Sequence, residues 1–175
     1  MPSRLADTIA GWFGRVEVVL AGVEGYLREG EEALLRGDAM AARRSAKAML
    51  QRVPHSPLGL ALLADACEAA HLDAELALTL EELAGRVPSR AEVWVRLGRA
   101  RERVGSPVDE ARDAFLRALA VAEAGSEFRR DALLWLADLD LSNGDGARAE
   151  LWLDAVRVLS ATVSDDRWIL LSPGN

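Results

Sequence analysis

From residue 24 onward, apolar residues recur at steps of three and four, in blocks broken by glycine, proline and short polar turns. That spacing places them on one face of an α-helix. The first block predicts a helix over 24–36 and an antiparallel partner over 39–52, turned at Gly37-Asp38. Glycine ends the first helix in a left-handed conformation, and Asp38 can cap the second. Ala42, Ala46, Met49 and Leu50 give the second helix its packing face, and Pro54 closes the pair because it cannot continue a helix. A second pair is predicted over 57–70 and 73–85, with His71-Leu72 at the turn. Leu60, Leu63, Ala64 and Cys67 face Leu76, Leu80 and Leu83 within it. A third pair covers 90–104 and 108–122, where Trp94, Leu97 and Gly98 meet Ala111, Phe115, Ala118 and Leu119. The fourth follows Ala124-Gly125-Ser126, with Leu133, Leu136 and Ala137 before Gly144-Asp145, then Ala149, Leu153 and Val156.

The pairs keep a common step. Tyr26, Leu60 and Trp94 are 34 residues apart, as are Gly30, Ala64 and Gly98, and Gly37, His71 and Gly105. A fixed period of this size marks stacked supersecondary units, and about 34 residues is the length of a helix–turn–helix repeat. The third turn holds an extra residue in Ser106-Pro107-Val108-Asp109. Gly105 to Gly144 spans 39 residues, five beyond the period, and insertions of this kind map to loops.

Composition narrows the function classes. Half of the 175 residues are hydrophobic, as in a folded soluble domain, and Ala and Leu favour helices. A net charge of −7 argues against nucleic-acid partners. Lys47 is the only lysine among 21 basic residues, a bias that suggests a GC-rich bacterial genome. Cys67 is the only cysteine, so no internal disulfide forms. Asp7, Arg15 and Glu17 interrupt the N-terminal apolar residues, which argues against a signal peptide. No apolar run of about 18 residues exists, and the expected location is cytoplasmic.

Catalytic signatures fail one by one. Cys67 and His71 stand four apart on one helix face, but two ligands do not make a metal site, and no third group orients them as nucleophile and base. Asp138-Leu139-Asp140-Leu141-Ser142 opens like a calcium loop, yet its glycine falls at the seventh place and Ala149 stands where glutamate is needed. No phosphate loop or nucleophile elbow is present. The expectation is a non-enzyme with no cofactor.

The repeated residues resemble the tetratricopeptide repeat family. The third pair matches best, with Trp94, Leu97-Gly98, Gly105, Ala111, Phe115 and Ala118. The first keeps Tyr26, Gly30, Gly37-Asp38, Ala42 and Pro54. The resemblance spans 24 to about 161 as four repeats (24–56, 57–90, 91–124 and 127–161), with a capping segment over 1–23 and a tail over 162–175. It implies an all-α, right-handed superhelical solenoid of about four antiparallel helix-turn-helix repeats with an extra N-terminal helix. Three departures stand out. Arg101 and Asp140 occupy a place where the family buries tyrosine and where Ala33 and Cys67 stand in the first two repeats. His71 replaces a turn glycine, and the fourth repeat ends without proline. Arg101 and Asp140 hold equivalent places in adjacent repeats, so they are expected to pair or share a partner.

In that family, the first helices of successive repeats line a concave groove that takes a peptide or a helix. By register, the resemblance implies a groove of Leu27, Glu31 and Leu34; Ala61, Asp65 and Glu68; Val95, Arg99 and Glu102; and Leu134, Asp138 and Leu141. Its partner is expected to be a protein or peptide with apolar anchors and basic flanks. Early acidic residues do not suit a clamp for a C-terminal carboxylate.

The ends are apolar. Leu5, Ile9, Trp12, Phe13, Val16, Val19, Leu20 and Val23 give an amphipathic helix over 5–23, expected to cap the first repeat. With only Arg4 and Arg15 beside it, membrane contact is disfavoured. Trp168, Ile169, Leu170 and Leu171 are expected to fold back over the last helices near Trp152 or Trp135, covering a terminal repeat. The expected function is a protein-interaction scaffold or adaptor. The alternative is a self-assembling structural protein, or a membrane-associated assembly factor, that joins copies through its two ends as a homo-oligomer.

Overall fold

The computed structural model describes the backbone of residues 23–169 and the side chains of residues 23–160. The expected N-terminal helix, apart from Val23, and the side chains of Trp168, Ile169, Leu170 and Leu171 lie outside those limits. The regular structure among the described residues is entirely helical, and the chain divides into two compact units, 1–88 and 89–175. The first unit pairs α1 (Glu24–Leu35) with α2 (Ala39–Arg52) and α3 (Pro57–Ala69) with α4 (Asp73–Arg86). Within it α2 packs on α3, and α1 lies beside α3. The second unit pairs α5 (Ala91–Arg103) with α6 (Val108–Val121) and α7 (Glu127–Ser142) with α8 (Gly146–Ile169). Here α6 packs on α7, and α5 lies beside α7.

Helix ends follow the local chemistry. Asp38 accepts a hydrogen bond from the Ala41 amide (2.9 Å), Ser126 from Arg129 (3.3 Å) and Asp145 from Arg148 (3.0 Å), each supplying an amide left over at a helix start. One boundary differs from expectation. The fourth repeat is expected to end at 161, but α8 continues to Ile169, since no proline or glycine interrupts residues 147–169.

All four hairpin turns close in the same way. The Asp38 amide donates to the Ala33 carbonyl (2.9 Å), Leu72 to Cys67 (2.9 Å), Ser106 to Arg101 (2.9 Å) and Asp145 to Asp140 (2.8 Å). This six-to-one closure requires a left-handed residue between the helices. Gly37, Gly105 and Gly144 supply it, and in the second hairpin His71 adopts the same conformation at φ 55°. The missing glycine therefore changes the strain of that turn, not its geometry.

Small residues set the packing distance. A methyl group on Gly98 would fall inside contact distance of the buried Phe115 ring, on the other helix of its own hairpin. At Gly30 it would lie 2.5 Å from Leu62 on α3, so this glycine admits the next hairpin rather than its own partner helix. Phe115 in turn joins Ala111, Leu136 and Leu139 in the core of the second unit, with Trp135 stacked on its ring at 6.3 Å.

Asp140 is fully buried, and it is held by residues that its equivalence with Arg101 does not point to. Arg112 Nη2 of α6 donates to Oδ1 (2.5 Å), Trp152 Nε1 of α8 donates to Oδ2 (2.9 Å), and Arg148 stands 3.8 Å away. Arg101 donates to the Glu110 backbone carbonyl (2.9 Å). Helix α6 packs against α7, so a long arginine on α6 reaches the buried end of α7. Burial opposes ionisation of Asp140, but the Trp152 and Arg112 hydrogen bonds outweigh it and hold its carboxyl below the ordinary value.

The first unit carries the same device with its acid moved. Arg43 stands six residues after Gly37, and Arg112 seven after Gly105, whose turn is one residue longer. Arg43 Nε donates to Glu75 Oε2 of α4 (2.7 Å), and Lys47 meets Glu75 Oε1 at 2.7 Å. Cys67 holds the place of Asp140, four residues before its turn, and Arg148 holds the place of Glu75, four residues after it. The acid thus sits on the second helix of the even hairpin in one unit and on its first helix in the other.

Two measurements test this packing. In urea unfolding, Gly98→Ala should lose about 1–3 kcal/mol through overpacking against Phe115. Gly85→Ala, at a helical site with open space around it, should be neutral or gain up to about 1 kcal/mol. Separately, Asp140→Asn should destabilise by about 1–3 kcal/mol at pH 7, because it weakens the buried hydrogen bonds from Arg112 and Trp152 and leaves Arg112 only the exposed Asp109 as a counter-charge. A depressed native carboxyl lends stability that is complete above its unfolded value and lost as pH falls through the native one. The gap between wild type and variant should therefore narrow as pH drops below about 4.

Candidate functional site

The expected groove residues fall on the first helices of the hairpins, and each unit presents its own set. In the first unit, Leu27, Glu31 and Leu34 are half-buried on α1, and Asp65 and Glu68 are half-buried on α3. Glu31, Asp65 and Glu68 are already engaged within the protein. Leu34 packs on the Ala33, Ala42 and Ala66 cluster. Ala61 is buried, as is Val95 in the second unit, so neither presents a surface. Val95 supports the face from beneath, in a cluster with Ala118 and Ala132.

The second unit brings its residues together. Arg99 of α5 lies over the Trp135 ring of α7 at 5.0 Å, within cation–π range. The same indole stacks with the buried Phe115 ring, so the core anchors the platform. One turn along, Glu102 of α5 faces Asp138 of α7. Burial first, and then the Asp138 charge, push the Glu102 carboxyl above its ordinary value, while Arg99 pulls the other way. Leu134 is 41% exposed and Leu141 55% exposed on the same face of α7. A shallow hollow of about 370 Å³ opens there, lined by Asp131, Leu134, Trp135 and Asp138.

Trp135 and Asp131 were not among the expected groove residues. Their signal was present in the register, since Asp131 lies seven residues before Asp138 and Trp135 directly follows Leu134. The sequence offers Trp135, or else Trp152, only as a neighbour of the C-terminal tail.

The Cys67 and His71 pair offers little chemistry. Cys67 is buried, and its thiol is pushed up to about 12, by burial first and then by the Glu75 carboxylate. A thiol held protonated at neutral pH is a poor nucleophile. His71 is exposed at its turn. Among the described residues, no group of three or more His, Cys, Asp or Glu side chains is arranged to hold a metal ion. No described helix is long and apolar enough to cross a membrane.

No protein family's sequence profile matches the chain, and no curated protein matches it. Solved structures do. A crystal structure of MamA is 22% identical with a TM-score of 0.73, over 79% of this chain and 73% of that one. Another MamA structure is 20% identical at a TM-score of 0.71, covering 87% and 79%. The TPR domain of Sgt2 from Aspergillus fumigatus is 17% identical at 0.52, covering 89% and 87%. At these identities the likeness is one of fold: the chain has an all-α, tetratricopeptide-type repeat fold.

The Glu102 carboxyl gives a test of the face in the free protein. A carboxyl raised in the native state lends stability that is full below its unfolded value and lost as pH rises through the native one. Glu102→Gln should therefore raise the thermal midpoint at pH 7 and leave it unchanged near pH 4, where wild-type Glu102 is already largely protonated.

Proposed function

We propose that this chain is a non-catalytic protein-interaction module that holds a segment of another protein on the α5/α7 face of its second unit. One observation carries the reading: Leu134 and Leu141 remain exposed on a face that sets Asp131, Asp138 and Glu102 beside the Arg99–Trp135 contact. Exposed leucines among like charges leave apolar area in water and acids facing one another. A partner with apolar anchors and basic flanks relieves both. Arg99 and Trp135 form the rigid end of the surface, and Val95 supports it from below. The corresponding α1/α3 face, with Leu27, Glu31, Leu34, Asp65 and Glu68, has its acids engaged internally and is the weaker candidate. The net charge of −7 makes a nucleic-acid partner a poor fit, and the location proposed is the cytoplasm.

The test is affinity capture with immobilised wild type and with a Leu134→Glu/Asp138→Lys double variant, read by mass spectrometry. A partner kept by wild type and lost by the folded double variant places binding on this face. Equal recovery by both proteins removes the face from consideration. Recovery of only the chain itself points to self-association.

A further inference from the structure

The exposed face of α7 has a period. Asp131, Leu134, Asp138 and Leu141 follow one another at steps of three, four and three, so leucine and aspartate each recur after seven residues. This is the a/d spacing of a coiled-coil seam. Its neighbours on either side are closed by packing: Ala132, Leu133, Leu136, Ala137 and Leu139 are all buried. The seam is therefore a single stripe with core behind it.

We infer that the occupant of this stripe is an amphipathic α-helix lying along α7 in heptad register, with an apolar residue at every seventh position and a basic residue between. The inference rests on the α5/α7 reading above and specifies its partner. Seven residues of helix rise about 10.5 Å, so the two leucines are matched by apolar residues seven apart on a second helix. An extended strand reaches that distance in about three residues, which point to opposite faces. Its same-face residues fall about 7 or 13.5 Å apart, a poorer match to the two leucines than a helix gives. The hollow beside Leu134 and Trp135 takes a knob from the facing helix, as a seam requires. Charge fixes the positions in between. Asp131 and Asp138 alternate with the leucines, and Glu102 of α5 adds to the negative charge at Asp138. A helix with leucine at those interleaved places would leave carboxylates facing apolar surface, and one with acids there would repel. Lysine or arginine satisfies both.

The probe is a synthetic helical peptide of about three heptads with Leu at a, Lys at d and Ala or Gln elsewhere. Controls are a peptide of the same composition with its leucines respaced, one with a central proline, and one with Glu in place of Lys. Binding is read by fluorescence anisotropy to the whole chain. The expected result is binding of the Leu/Lys heptad peptide about tenfold or more tighter than the respaced or proline peptides. Asp138→Lys should weaken it by about tenfold and improve binding of the Glu peptide. Leu141→Glu should weaken binding of the Leu/Lys peptide, and far-UV melting should show both variants folded. Equal binding by the respaced or proline peptide overturns the helical register and leaves the α5/α7 face standing. Binding indifferent to both variants puts the peptide elsewhere and overturns the inference. Failure of every basic apolar peptide to bind overturns the inference and the reading beneath it.

Discussion

Each hairpin reverses by returning two backbone amides to the last turn of its first helix, and that closure admits one residue at positive φ. Because the closure is the same four times, positions can be counted from it in either direction. Four residues before it lie Ala33, Cys67, Arg101 and Asp140, whose carbonyls accept the closing bond. A few residues after it lie Arg43 and Arg112. The chemistry of the interior follows from this frame, since it decides which side chain stands opposite which on the neighbouring hairpin. His71 shows how strong the frame is: an ordinary residue is held in a left-handed conformation that glycine would occupy without strain.

The arginines are the clearest product of that frame. A carboxylate without water is tolerable only when its lone pairs are filled, and Asp140 takes Arg112 and Trp152 for that purpose. Glu75 takes Arg43 and Lys47 in a more open setting. Where the acid sits on the second helix, the corresponding place on the first is Cys67, small and neutral. Where the acid sits on the first, the corresponding place on the second is Arg148, a further cation. Each arrangement removes the charge conflict that the other would create.

Much of this was legible in the sequence, and the gaps have physical reasons. Gly37-Asp38, Pro54, Gly105 and Ser126 act on the backbone within a turn or two, so helix limits could be read from them directly. Cys67 as a core residue and the packing role of Gly98 also followed from period alone. The partner of Asp140 did not, because register gives which helices are adjacent but not how far an arginine reaches from a helix on the other side. On the α7 surface, register brings Leu134, Asp138 and Leu141 to one exposed face, whereas it does not single out Trp135, whose indole divides between the core and the face. Ala61 and Val95 were assigned to the surface by counting, but burial depends on what covers a residue, which counting does not contain.

The alternating placement of the arginines has a consequence for how such a chain can grow. The even hairpins carry Ala77 and Glu150 at the place where the odd ones carry Arg43 and Arg112. Duplicating a single even hairpin would present an approaching acid with a methyl group or another acid. Copying an odd–even couple whole would bring every carboxylate its cation. The smallest piece of this architecture that carries both an acid and its cation is therefore the couple, a dyad about twice the length of the visible repeat, and the chain divides between Pro88 and Ser89, where one couple ends and the next begins.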